Sequence, residues 1–75
     1  MNRNPIILRR INKLIGQAMR QAQLLKGKEL TMMRSAIKWL NIARRKYSEG
    51  CIISYRLALR FVADDIRIIN GWRNA

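Results

Sequence analysis

Arg9, Lys13 and Arg20 stand at positions i, i+4 and i+11; Arg34, Lys38 and Arg45 repeat that spacing, and Arg56, Arg60 and Arg67 repeat it again. At ~100° per residue each trio falls within ~40° of one line along an α-helix, a row about 16 Å long. Opposite each row the residues are apolar. A strand, with its period of two, would scatter both sets over both faces, whereas a helix keeps them apart. The spacing therefore predicts an all-α fold: a compact three-helix bundle with short connections, each helix carrying a basic ridge opposite its buried face.

Seventy-five residues make a single basic three-helix domain, residues 1–75, with no room for a second. A chain of this length buries only about 60% of its unfolded surface, so it depends on good helix packing, self-association or a bound partner. Cys51 is the only cysteine, which rules out a disulfide within one chain. Followed by Ile52 and Ile53, it reads as a small buried hydrophobe.

Helix boundaries follow from capping chemistry. Asn4 before Pro5 is a helix start, with an N-cap side chain and then a proline where no amide hydrogen is missed. The first helix is expected over residues 5–26, burying Ile7, Leu8, Ile11, Leu14, Ile15, Ala18, Met19, Ala22 and Leu25, with Gly27 as its left-handed stop. The second is expected over residues 30–48, burying Met33, Ala36, Ile37, Leu40, Ala43 and Tyr47 beside Met32 and Trp39. Glu29 suits its N-terminus, where the helix dipole favours an acid. Gly50 closes it, and Ser48 is a candidate cap for the third helix. That third helix is expected over residues 51–70, closed by Gly71.

The third helix has the widest apolar arc: Tyr55, Leu57, Ala58, Leu59, Phe61, Val62, Ala63, Ile66, Ile68 and Ile69. That is more than two neighbouring helices need to cover, and Ile52, Leu59 and Ala63 at its rim would stay wet in a monomer. Helix 3 is accordingly the expected homodimer seam. Two charges break the amphipathic pattern, Arg44 at the apolar edge of helix 2 and Asp65 on the arc of helix 3. A buried charge needs a partner, so they are expected to form a structural ion pair, within the chain or across the dimer.

Several functions are excluded by what the chain lacks. With no His and one Cys there is no Cys–His pair and no histidine metal site, and nothing calls for a cofactor. Asp64 and Asp65 are the only adjacent acids, and neighbours on a helix point about 100° apart, so they cannot act as paired catalytic carboxylates. Gly16, Gly27, Gly50 and Gly71 each stand alone, so there is no phosphate-binding glycine loop. The chain reads as non-enzymatic. Arg9 and Arg10 interrupt the apolar run 5–8, unlike a secretory signal. Residues 1–28 hold seven basic groups and no acid, as a transit peptide would, but they lack Ser and Thr and their pattern continues into the later helices. No stretch approaches the ~18 apolar residues of an integral membrane segment.

What remains is charge. Sixteen Lys and Arg against four acids give +12, while 49% hydrophobic residues are enough to build a core. A foldable and strongly basic chain points to nucleic acid. Arg outnumbers Lys by eleven to five, and its bidentate fork suits phosphate. A helix-turn-helix register fails: the small residue required four positions before Gly50 is Lys46, and the later apolar slot holds Arg56. The expectation is a cytoplasmic protein, nucleoid- or RNA-associated, that contacts the phosphate backbone of DNA or RNA largely without base specificity through the nine ridge residues. Two alternatives stand beside it: a small adaptor or inhibitor docking on an acidic protein surface, such as that of a nucleic-acid enzyme, and a membrane-surface amphipathic protein.

Overall fold

In the computed structural model, which describes residues 4–74, three helices follow one another: α1 (Pro5–Ala22), α2 (Gly27–Ser48) and α3 (Ile52–Arg73). The fold is an all-α three-helix bundle. Arg3, one of the seven basic groups of residues 1–28, lies outside the described residues. Among those described, no helix is long and apolar enough to cross a membrane.

Local chemistry sets the ends. Asn4 caps α1, its side-chain oxygen accepting the Ile6 N–H at 2.9 Å, with Pro5 as the first helical residue. The helix stops at Ala22, earlier than its periodicity suggests, because the chain turns there: the Leu24 N–H bonds to the Gln21 carbonyl and the Leu25 N–H to that of Ala22. The turn itself carries Leu25 into the core. Gly27 is left-handed, at φ +61°, yet it opens α2 and does not close α1. At the other end of α2 the Cys51 N–H bonds to the Lys46 carbonyl at 2.9 Å and the Gly50 N–H to the Tyr47 carbonyl at 3.0 Å, with Gly50 at φ +83°. This is a Schellman closure, which satisfies carbonyls that the helix end would otherwise orphan.

Three local expectations are corrected here. Ser48 is the last residue of α2 and caps nothing, the N-cap of α3 being Cys51, which makes no side-chain capping bond. Cys51 is exposed, because it sits in the turn before α3 begins. Gly71 is helical, and α3 runs two residues past it. A contact with α2 holds that last turn in place: the Lys28 ammonium lies 4.6 Å from the centroid of the Trp72 ring.

α2 occupies the middle. Its flanks receive α1 and α3, whose Cα atoms come no closer than 8 Å to each other. The core gathers Ile11, Ile15 and Ala18 of α1, Met33, Ala36 and Leu40 of α2, Ile69 of α3, and Leu25 from the turn. Ala36 and Ala43 are wholly inaccessible, so neighbours close over α2 where its side chains are smallest. Tyr47 connects all three helices: its hydroxyl accepts the backbone N–H of Asn4 at 2.8 Å, and its ring meets that of Tyr55 with centroids 4.9 Å apart. Further along, the Trp39 and Phe61 rings pack at 4.6 Å.

The apolar stripes are buried less completely than their patterns imply. Leu14 and Met19 of α1 are exposed. Of the wide arc on α3, Ala58 and Ile69 are buried, Tyr55, Leu59, Val62 and Ile66 are half-buried, and Leu57, Phe61, Ala63 and Ile68 face water. A helix with one neighbour covers one side only. At the rim, Ile52 and Ala63 are exposed, whereas Leu59 packs against the core.

Two substitution sets check these contacts by thermal or urea melting. Gly71→Ala should raise stability by about 0.5–1 kcal/mol, because the position is helical and the added methyl meets open space. Gly50→Ala should lower it by about 1–2 kcal/mol through the left-handed backbone. Tyr47→Phe, which keeps the ring and removes the bond to Asn4, should cost about 1 kcal/mol.

Candidate nucleic-acid interface

The ridges survive folding intact. Arg9, Lys13 and Arg20 on α1, Arg34, Lys38 and Arg45 on α2, and Arg56, Arg60 and Arg67 on α3 are all exposed. Each row lies on the side of its helix away from the buried residues: in α2, for instance, Ala36, Leu40 and Tyr47 point into the core half a turn or so from Arg34, Lys38 and Arg45. Because the three helices turn different sides toward the core, the rows face different ways and do not merge into one patch.

The surface between the guanidinium and ammonium groups is nearly free of acid. Of the nine ridge residues, only Arg67 has a carboxylate within 4 Å among the described residues, Asp64 at 3.9 Å, and both partners are well exposed. Such a pair is worth little in water. The other ion pair, Lys46 to Glu49 at 3.4 Å, lies off the ridges. On α1 the Arg20 guanidinium folds back toward Gly16, where a Cβ would meet its Nη1 at 3.5 Å, an ordinary contact; Gly16 therefore leaves room without being required for it. On α2 the Lys38 ammonium lies 5.7 Å from the Trp39 ring centroid, placing a cation beside a half-buried indole.

Arg44 and Asp65 do not meet within the chain. Arg44 reaches across to α1, where its Nη1 donates to Asn12 Oδ1 at 2.9 Å while its Nη2 donates to Asn41 Oδ1 at 2.8 Å. Asn41 is itself held by donating to the Ile37 carbonyl. Asp65 belongs to α3, which packs on the other flank of α2, so the central helix separates the two charges. Its Oδ2 is buried and has no hydrogen-bond partner among the described residues. Periodicity alone locates each charge on a face, but not the neighbour that face meets. The Arg44–Asn12–Asn41 bracket had no distinctive sequence signal, since Asn12 and Asn41 look like ordinary surface amides.

A groove is the other feature that the sequence did not announce. Between α1 and α3, floored by Met33, Ala36 and Leu40, lies an apolar cavity of about 250 Å³ that opens to solvent. Beside it a second recess is lined by Arg10, Lys13, Leu14 and Gln17, the last two shared with the groove.

No family model, curated protein or solved structure matches this chain, so the reading of its surface rests on its own geometry.

Asp65→Ala tests the isolated carboxylate. Removing an unpartnered buried oxygen and adding a better helix former should raise stability by about 1 kcal/mol in urea titration. A loss that grows with protein concentration would instead identify a partner for Asp65 on a second copy.

Proposed function

We propose that this is a small non-enzymatic protein that binds DNA or RNA through the phosphate backbone, largely without base specificity. The observation that carries this reading is the exposure of all nine ridge cations with almost no interleaved acid. A surface that only kept a protein soluble would mix the two signs. Here each exposed row can follow phosphates over about 16 Å, and an added polyanion would relieve the self-repulsion of a +12 chain.

The rows diverge, which shapes the mechanism. One nucleic-acid segment meets one ridge, with about three phosphate contacts, and a second segment is needed to occupy another. The protein then acts as a cross-bridge or as a filler within folded RNA, and its place is the nucleoid or an RNA assembly in the cytoplasm. Trp39 and Trp72 stand near cations but are half-buried, and both serve packing before base stacking. The exposed Ile53, Leu57, Phe61 and Ile68 of α3 are where a second copy would pair, and that pairing would leave the α1 ridge the more accessible. Membrane-surface binding is the less favoured reading, since opening the helices onto lipid would give up the enclosure of Ala36, Leu40 and Ala43.

Salt dependence of binding to a short duplex counts the contacts. One engaged ridge should reduce affinity by between one and two decades from 50 to 200 mM salt; two ridges, with six or more contacts, by about three to four. Charge reversal of Arg9, Lys13 and Arg20 to Glu should flatten the salt slope by about three and weaken binding more than the same change at Arg56, Arg60 and Arg67. Equal losses would indicate a diffuse electrostatic coat without a preferred ridge. Absence of any gel shift at 50 mM salt, with DNA and with RNA, would end the proposal.

A further inference from the structure

The groove between α1 and α3 has the form of a missing helix. Leu14, Gln17, Ala18 and Gln21 of α1 make one wall, Val62 and Ile66 of α3 the other, and α2 the floor. From Leu14 to Gln21 the wall runs about 10 Å, two helical turns. It is open along one side, so it suits an inserted ridge of side chains and not an enclosed small molecule. Its floor is already closed over, Ala36 wholly and Leu40 nearly so, and a visitor would meet chiefly Leu14, Gln17 and Gln21 on one wall and Val62 and Ile66 on the other. Leu14 shows what is at stake: it is 45% exposed at the groove edge, an apolar side chain with no cover of its own.

Charge selects the occupant. No acid lines the groove or the adjoining recess, and Arg10 and Lys13 stand directly beside Leu14 and Gln17. A second copy would bring a further +12 to this rim, against the repulsion already present. We infer that the groove is a docking site for an acidic amphipathic helix of a partner protein. Such a helix would insert apolar residues at i, i+3 or i+4, and i+7 between α1 and α3, and set carboxylates against Arg10 and Lys13. Completing the layer turns three helices into four and covers Leu14, Val62 and Ile66. The recess shares Lys13 with the α1 ridge, but the apolar groove holds no ridge residue, and docking there does not depend on the phosphate-binding role of the ridges.

The test uses a synthetic helical peptide of about five turns, with Leu at the i, i+3, i+4 and i+7 positions and Glu at most others. A second peptide of equal charge, with the Leu replaced by Ser, is the control. Methyl NMR of the full chain should show shifts at Leu14, Met33, Leu40, Val62 and Ile66 with the Leu/Glu peptide and none at those methyls with the control. Leu14→Ser changes no charge and removes a half-exposed side chain; it should weaken the Leu/Glu peptide about tenfold while leaving duplex binding unchanged. Equal binding of both peptides would reduce the interaction to surface charge and overturn the inference. So would decanoate moving the groove methyls when the peptide does not, which would make the site a lipid one. Broadening of the same methyls with protein concentration alone would assign the groove to a second copy and likewise overturn it.

Discussion

Because the backbones of α1 and α3 stay apart, the burial of α2 is what the rest of the molecule hangs on. A helix that must satisfy two neighbours needs an apolar face wider than one stripe. α2 meets the need with a row of small residues, Ala36 and Ala43, beside a row of larger ones, Met33, Leu40 and Tyr47. Its remaining face is free to carry charge. The two neighbours, each with one helix to pack on, keep apolar side chains in water, and the groove is a direct result of that geometry.

Polar contacts then fix what burial leaves loose. Apolar packing is tolerant of sliding, whereas hydrogen bonds have direction and length. The Tyr47 hydroxyl pins the start of α1, the Arg44 bracket pins its middle to α2, and the Lys28–Trp72 contact pins the end of α3. These ties lie at different heights along the bundle. Together they set the register of both outer helices without a buried ion pair.

Periodicity made much of this legible. Three helices, the start at Asn4–Pro5, the closure at Gly50 and the exposed ridges all derive from local spacing and capping, which depend on a few adjacent residues. The misreadings share a cause. Leu25 keeps the apolar rhythm of α1, but a turn buries it as well as a helix would. Gly71 looks like a stop, but tertiary contact at Trp72 outweighs its weak helical preference. Only the intrachain half of the expected Arg44–Asp65 pair fails, because the two charges lie on flanks of α2 that meet different neighbours. The groove had no signal because it belongs to the space between helices, which no single segment encodes.

The layered arrangement also governs how the molecule opens. α2 and α3 form the more extensive pair, joined by a tight Schellman turn, while α1 is attached through one neighbour and a four-residue link. The native state is therefore graded: the lowest-energy excursion is detachment of α1 as a unit, with the α2–α3 hairpin still wound. In amide hydrogen exchange the helix bearing Arg9, Lys13 and Arg20 is the one expected to lose protection first. The segment that carries Arg9, Lys13 and Arg20 is thus also the one whose departure from its seat disturbs the fewest contacts of the remainder.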